Sequence, residues 1–493
     1  MLDELQVRPI RRELRRARVC LIYTGGTIGM TPLDSGSASR PRLKSASFEE
    51  ILAVLSEAPG LGEAQGIELG YRSFVDPIDS SDMGPHDWQT IAMAIEEHYD
   101  DFDGFVVLHG TDTMAYTASA LSFMLRNLGK PVVVTGSQLP MREARGDART
   151  NLASSILIAA HPASGLPLIP EVVLVFMDRI LRGNRAVKVS SNRWLAFDSP
   201  NFPWLGSIGK HITVRTDLVL PPPPARSKFR VDRELGSPVA VLHMFPGIHD
   251  QHIQQILSDP ELQGVILLTY GAGNIPSCAT LEKALRDAVE RGVLVVDVTQ
   301  CLEGSVELGL YESSSGLLEA GVASGLDLTP EAALAKAMWV IGTYPRSEQR
   351  AEFIAAQRGE QSLSLIDVNV PGEGLAERHQ VACRLTRPFS LERLRQATVR
   401  IQGVRILAVD EDLPAILRLH VNESGNGGSM ERGAGYCGEV ATADLSPYGS
   451  VMFDVTEVFR NTYQPGPPIG LRISGVNAEV AYESIQLSVF AES

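Results

Sequence analysis

Four short segments of this 493-residue chain carry side chains that could do chemistry together. Thr24-Gly25-Gly26-Thr27-Ile28-Gly29 directly follows the apolar run Val19–Tyr23, and His109-Gly110-Thr111-Asp112-Thr113 directly follows the apolar run Phe105–Leu108. Ligands of open α/β sheets sit at the carboxyl ends of strands, so each motif puts threonine hydroxyls where a substrate would lie. The paired glycines of the first motif permit a tight turn and let a ligand approach backbone N–H groups. Asp79-Ser80-Ser81-Asp82 is a polar loop ahead of a helical stretch, and Arg182-Gly183-Asn184-Arg185-Ala186-Val187-Lys188 follows the apolar run Val172–Phe176. Joined in one crevice, these parts make a nucleophilic acyl-transfer site. A threonine hydroxyl is a weak nucleophile and needs a neighbour to take its proton. A lysine fills that role where burial or nearby charge favours its neutral form, with a carboxylate to orient it. Backbone N–H groups would stabilise the oxyanion of an attacked amide, a contribution of about 3 kcal/mol per donor. Carboxylates and loop N–H groups would grip the ammonium and carboxylate of an amino acid.

Each segment also has a plainer reading. The first is explained by a turn with threonine caps, and it lacks the GxGxxG spacing of a dinucleotide site. Asp112 and Thr113 would cap the helix that starts at Met114, His109 is assigned mainly to packing, and Asp79–Asp82 is an ordinary capped turn. A lone lysine such as Lys188 is ordinarily a solvated surface charge.

The elements that must position these residues are readable from hydrophobic pattern. Val19–Tyr23, Phe105–Leu108, Val132–Thr135, Val172–Phe176, Val265–Thr269 and Val293–Val298 are short runs rich in Val, Ile and Leu, apolar on both faces as strands of a covered parallel sheet must be. Asp87–Tyr99, Thr113–Leu128, Leu281–Arg291 and Thr329–Trp339 place apolar residues at helical spacing, the last opening with Thr-Pro-Glu. Alternation of the two predicts an α/β fold of two lobes with doubly wound, mostly parallel sheets, with a crossing at Pro221–Pro224. After about residue 395 the apolar spacing becomes period two with turn-rich breaks, which predicts an antiparallel β-sandwich. The expected organisation is a basic segment at 1–16, an N-terminal α/β lobe at 17–220, a C-terminal α/β lobe at 221–345, a helical tail and linker at 346–394, and the β-sandwich at 395–493.

Composition narrows the function classes. Hydrophobic residues are 44% and charged residues 21%, which excludes wholesale disorder. With 44 basic and 59 acidic side chains the net charge is −15, a poor basis for nucleic-acid binding. No apolar run approaches the roughly 20 residues of a membrane span, and Arg11–Arg18 reads as a solvated helix face. Five scattered cysteines without a CxxC pair fit reduced thiols in the cytoplasm.

TGGTIG, DSSDM, HGTDTMAYTASALSFML, TGSQLP, RGNRAVK, GAGN and TQC occur here in the order and spacing of the type I (cytoplasmic) L-asparaginases, and the chain resembles that family from about Arg18 to about Val340. The resemblance implies hydrolysis of L-asparagine to L-aspartate and ammonia through a threonine acyl-enzyme, with no metal or organic cofactor. By position, Thr27 resembles the nucleophile and Thr111 the second catalytic threonine, with Lys188 as base and Asp112 as its orienting carboxylate. Ser80 resembles the residue that holds the substrate α-carboxylate, with Asp79 and Ser81 beside it. Thr111 also lies against substrate, Asp112 resembles the α-ammonium partner, and Asn274 a residue contributed across a subunit interface. A homodimer or homotetramer is implied, with no nucleic-acid or membrane partner. There are departures. The segment Thr31–Phe48 lacks the tyrosine that assists the nucleophile in many members, Leu268 stands where some carry an effector-binding arginine, and the acidic motif after TGSQ reads Gly146-Asp147-Ala148. The C-terminal β module has no counterpart in the usual bacterial enzyme, and assembly contacts or polymer binding are its two candidate roles. Two alternative functions are an ammonia-generating subunit of a transamidation complex and a non-catalytic amino-acid-binding protein on the same scaffold.

Overall fold

The computed structural model describes residues 16–32, 43–45, 66–276, 278–308, 312–354, 358–368, 379–383, 394–402, 405–409, 416–421, 436–441, 451–455, 458, 469–476, 478–481 and 484–491. The basic segment at 1–16, apart from Arg16, and residues 33–42 and 46–48 of the tyrosine-free segment Thr31–Phe48 fall outside these residues.

The first lobe is built on β1 (Ala17–Gly25), β2 (Ile67–Ile78), β3 (Gly104–Leu108), β4 (Val132–Thr135), β5 (Val172–Phe176), β6 (Arg179–Arg182), β7 (Gly206–Ile208) and β8 (Ile212–Val214). They form one sheet in the order β8-β7-β6-β5-β4-β3-β1-β2. Strands β2 to β5 run parallel to β1, and each of β6, β7 and β8 is antiparallel to the strand before it in the sheet. Every residue of β3, β4 and β5 is buried, as helix cover on both faces requires. Register does the positioning. Tyr23 is level with Leu108, and Leu108 with Thr135, so the segments that follow β1, β3 and β4 leave the sheet from one line.

Helix α1 (Pro85–Glu97) buries Trp88, Ile91, Ala92 and Ile95, the i, i+3, i+4, i+7 stripe of an amphipathic helix. Its entry is fixed by Pro85 in the first turn and by the Asp87 carboxylate, which accepts the Gly84 N–H at 2.8 Å. Helix α2 (Met114–Met124) is buried on nearly all sides. It ends four residues before the expected Leu128, because Leu125–Arg126 pairs antiparallel with Arg230–Val231. Helix α3 (Ala148–Ala159) covers β3, β4 and β5.

The second lobe carries β9 (Val239–His243), β10 (Gly264–Thr269) and β11 (Leu294–Thr299), all parallel. Between them lie α4 (Asp250–Leu257) and α5 (Ala279–Glu290), whose Ile253, Leu257, Leu281 and Leu285 share a core with Val265, Leu267 and Val295. Helix α6 (Pro330–Thr343) starts as the sequence predicts, with Thr329 Oγ1 accepting the Ala332 N–H at 3.1 Å, and it packs on α2 of the first lobe. The connection between the lobes is tied down along its length. Beyond the Arg230–Val231 pairing, the Trp339 indole N–H donates to Asp232 Oδ2 at 3.1 Å, Gly236 N–H donates to Met338 O at 2.7 Å, and Phe123 stacks on Trp339.

The C-terminal module is a separate compact unit. Its main strands are β12 (Leu363–Val368), β13 (His379–Cys383), β14 (Leu394–Gln402), β15 (Ile416–Val421), β16 (Tyr436–Ala441), β17 (Val451–Asp454), β18 (Ile469–Val476) and β19 (Ser484–Ala491), and a further antiparallel pair joins Arg405–Val409 to Ala478–Ala481. They form two antiparallel four-stranded sheets, β12-β19-β14-β17 and β13-β18-β15-β16. With the eight strands of these two sheets lettered B to I in chain order, the sheets read BIDG and CHEF, the strand order of a jelly roll. The sandwich therefore takes in β12 and β13, which the sequence reading had assigned to a linker. Its strands begin at Leu363, not 395.

One buried group in the second lobe has a pH consequence. Asp297 on β11 is fully buried, accepts the Thr269 hydroxyl at 2.6 Å on Oδ1, and has no partner on Oδ2. Burial pushes its carboxyl up to about 7, against a partial opposing effect of the Thr269 bond. A raised carboxyl keeps its full stability below the unfolded value of 3.8 and loses it as pH rises through 7. Asp297→Asn removes the charge at constant shape. Thermal unfolding should therefore show the variant more stable than the parent at pH 8, by on the order of 2 kcal/mol relative to their difference at pH 5. An equal difference at the two pH values refutes the assignment.

Candidate active site

The end of β1 is shaped by glycine. Gly25 has φ 128° and Gly26 φ 85° with ψ 172°, a region essentially closed to residues with a β-carbon. A β-carbon on Gly25 would overlap the Ile78 carbonyl at the end of β2, and one on Gly26 would overlap the backbone of Gly110 beyond β3. The three chain segments touch backbone to backbone. Thr27 follows at the start of a 3-10 turn, Thr27–Gly29, and is half-buried. The TGSQLP segment backs this turn, with Met141 N–H donating to Ile28 O at 3.2 Å. Asp147, the one acid kept in the altered GDA motif, holds that segment. Its carboxylate is buried and accepts from Gln138 N–H, Leu139 N–H and the Asn151 amide at 2.9 to 3.2 Å.

Beyond β3 stand Thr111, buried, and Asp112, exposed. Lys188 Nζ donates to Thr111 Oγ1 at 2.9 Å and to Asp112 Oδ1 at 2.6 Å. Residues 76 and 77 positions apart in sequence meet here. Lys188 lies on a two-residue strand, Val187–Lys188, paired with Phe197–Asp198. The preceding segment runs against α2, with Ser119 Oγ donating to Gly183 O at 3.4 Å. Its arginines are buried, Arg182 in an ion pair of 2.7 Å with Glu171, and both Arg182 and Arg185 stacked on Phe202. That fixed base delivers the lysine, which is not a loose surface charge.

The polar loop 79–82 packs on the same motif. Ser80 is buried, its Oγ accepts the Asp112 N–H at 3.2 Å, and its carbonyl accepts the Thr113 hydroxyl at 2.6 Å. The Ser80 hydroxyl hydrogen stays available to a ligand. Asp79 and Ser81 are exposed beside it and engage each other, Asp79 Oδ1 accepting both Ser81 N–H and Ser81 Oγ–H at 2.9 Å. The structure thus gathers Thr111, Asp112, Lys188 and Ser80 in one hydrogen-bonded group, against the turn that carries Thr27. Asn274 closes the turn Tyr270–Asn274 after β10 in the second lobe, its carbonyl accepting the Tyr270 N–H at 3.0 Å. Sequence reasoning missed the anchoring roles of Asp147 and Glu171, for which nothing but their acidity could have argued. Among the described residues no cluster of three His, Cys, Asp or Glu is placed to hold a metal ion, and no helix is long and apolar enough to cross a membrane.

The chain is similar to known proteins along about two-thirds of its length. The family model "Asparaginase, N-terminal" matches residues 18–220, and "Glutaminase/Asparaginase C-terminal domain" matches residues 238–353. The chain is 40% identical to L-asparaginase 1 of Escherichia coli over 328 residues, 66% of this chain and 93% of that protein. It is 39% identical to the 60 kDa lysophospholipase of Mus musculus over 371 residues, 71% of this chain and 64% of that protein. Among solved structures, L-asparaginase I of Vibrio cholerae superposes with a TM-score of 0.63 at 41% identity, covering 71% of this chain and all of that one.

The glycine contacts make a direct prediction. Gly26→Ala forces a β-carbon into the Gly110 backbone at a φ that disfavours it. It should lower unfolding stability by about 2 kcal/mol or more in denaturant titration. A variant as stable as the parent would show that the two turns have room to part.

Proposed function

The chain belongs to the asparaginase family, and from that premise we propose that it is an L-asparagine amidohydrolase that forms L-aspartate and ammonia through an acyl-enzyme on Thr27. The observation that carries the reading is the Thr111–Lys188–Asp112 group, at 2.9 and 2.6 Å, set against the glycine turn that presents Thr27. In the first half-reaction Thr27 Oγ attacks the side-chain amide carbon. Its proton passes to the amide nitrogen, and the C–N bond breaks to release ammonia. In the second half-reaction water attacks the ester. Thr111 and Lys188 take the water proton, the C–O bond to Thr27 breaks, and the hydroxyl is restored. Asp112 holds the lysine in line and offers its second oxygen to the substrate ammonium. The free hydrogen of Ser80 faces the α-carboxylate, with Asp79 and Ser81 shaping the loop beside it. Backbone N–H groups of the glycine turn and of the HGTDT loop supply the oxyanion donors.

Assembly as a homodimer or homotetramer is part of this reading, with Asn274 of the turn after β10 acting across the interface on the site of a second copy. A cytoplasmic location is inferred from Cys20, Cys278 and Cys301, which are free thiols.

Steady-state ammonia release from L-asparagine tests the proposal. The purified protein should turn over, and Thr27→Ala and Lys188→Ala should each lower kcat by about a thousandfold or more. An inactive parent protein, or a Thr27→Ala variant with parental kcat, refutes it.

A further inference from the structure

The HGTDT motif opens with a histidine that none of the chemistry above uses. His109 is fully buried at the end of β3, and its backbone N–H continues the sheet to Thr135 O at 2.8 Å. Both ring nitrogens are engaged. Nδ1 lies 2.7 Å from the Gly110 carbonyl oxygen and Nε2 lies 2.8 Å from Thr117 Oγ1 on α2. A carbonyl oxygen only accepts, so Nδ1 carries the hydrogen, and Nε2 then accepts from the Thr117 hydroxyl. Burial pushes the imidazole down to about 4, so across the neutral range the ring keeps one charge state and one tautomer.

The effect falls on the next peptide unit. Gly110 C=O and Thr111 N–H belong to one planar trans peptide and point opposite ways. Holding the carbonyl against the imidazole turns the N–H away from it. Thr111 is buried, its hydroxyl is the one bonded to Lys188, and its N–H meets no acceptor among the described residues. Buried backbone donors are nearly always paired. An unpaired one beside reacting groups is a donor kept for an incoming oxygen.

We propose that His109 is a positioning residue for the hydrolysis: through the Gly110 carbonyl it aims the Thr111 N–H at the oxyanion formed on the attacked amide, and Thr117 anchors the ring that does so. The assignment rests on the amidohydrolase reading. It explains why a histidine so buried has both nitrogens committed to one loop and one helix, without touching substrate itself.

The test is steady-state ammonia release by the full chain. His109→Leu removes the donor and should lower kcat about 30-fold with KM within about threefold, since an oxyanion donor acts on the transition state. His109→Asn places an amide N–H where Nδ1 stood and should recover kcat to within about threefold of the parent. The parent and His109→Asn should share one pH profile from pH 5 to 9, because the ring does not titrate there. Where His109→Leu fails to fold, Thr117→Val removes the ring's anchor alone and should lower kcat at least threefold with KM kept. Unchanged kcat in His109→Leu or Thr117→Val, a KM-only effect, or a limb near pH 6 that disappears in His109→Asn overturns the assignment. A parent protein that releases no ammonia overturns the reading of the site and this assignment with it, whereas an active parent matched by His109→Leu overturns this assignment alone.

Discussion

Everything at this site depends on how closely two pieces of backbone approach. Gly26 and Gly110 meet without side chains between them, which is possible because β1 and β3 are adjacent parallel strands whose last residues, Tyr23 and Leu108, are in register. Neighbouring strands lie roughly 4.8 Å apart, so two turns leaving level strand ends must either diverge or interlock. Positive φ at Gly25 and Gly26 makes them interlock. Once they do, the hydroxyls borne on the two turns share one small volume, and Ser80 closes it from the end of β2, where a β-carbon on Gly110 would have displaced it.

The charged partners are then fixed by what lies behind them. Asp112 is committed twice, through its N–H to Ser80 and through its carboxylate to Lys188. Lys188 in turn is delivered by a segment whose two arginines are buried on Phe202 and Glu171. Ordering long cationic side chains costs conformational entropy. Here that cost is met in advance by packing away from the reactive groups, so the ammonium arrives with little freedom left to lose.

Much of this was legible in the sequence, for identifiable reasons. Doubly buried strands such as Phe105–Leu108 have no polar face and cannot be mistaken for surface helices, and Thr329-Pro330 at a helix start has a single local meaning. The site residues were legible as a set, because TGGTIG and HGTDT each follow such a strand. What the sequence hid was pairing. Leu363–Val368 and His379–Cys383 are short and isolated in a polar stretch, and it is pairing with β19 and β18 that makes them strands of the sandwich. Helix α2 stops early because a distant dipeptide captures Leu125 and Arg126. His109 illustrates the remaining limit: burial could be guessed, but which nitrogen meets which oxygen is a matter of coordinates alone.

The stitched connection between the lobes has a mechanical consequence. A segment that opens with four prolines looks like a pivot, yet Arg230–Gly236 is fastened to both halves, by a strand pair to the end of α2, by the Asp232–Trp339 bond and by the Gly236–Met338 bond. Domain closure needs a few residues whose dihedrals can swing freely, and none are left between these anchors. The two lobes are thus coupled as one cooperative block, opening to solvent together and not in turn.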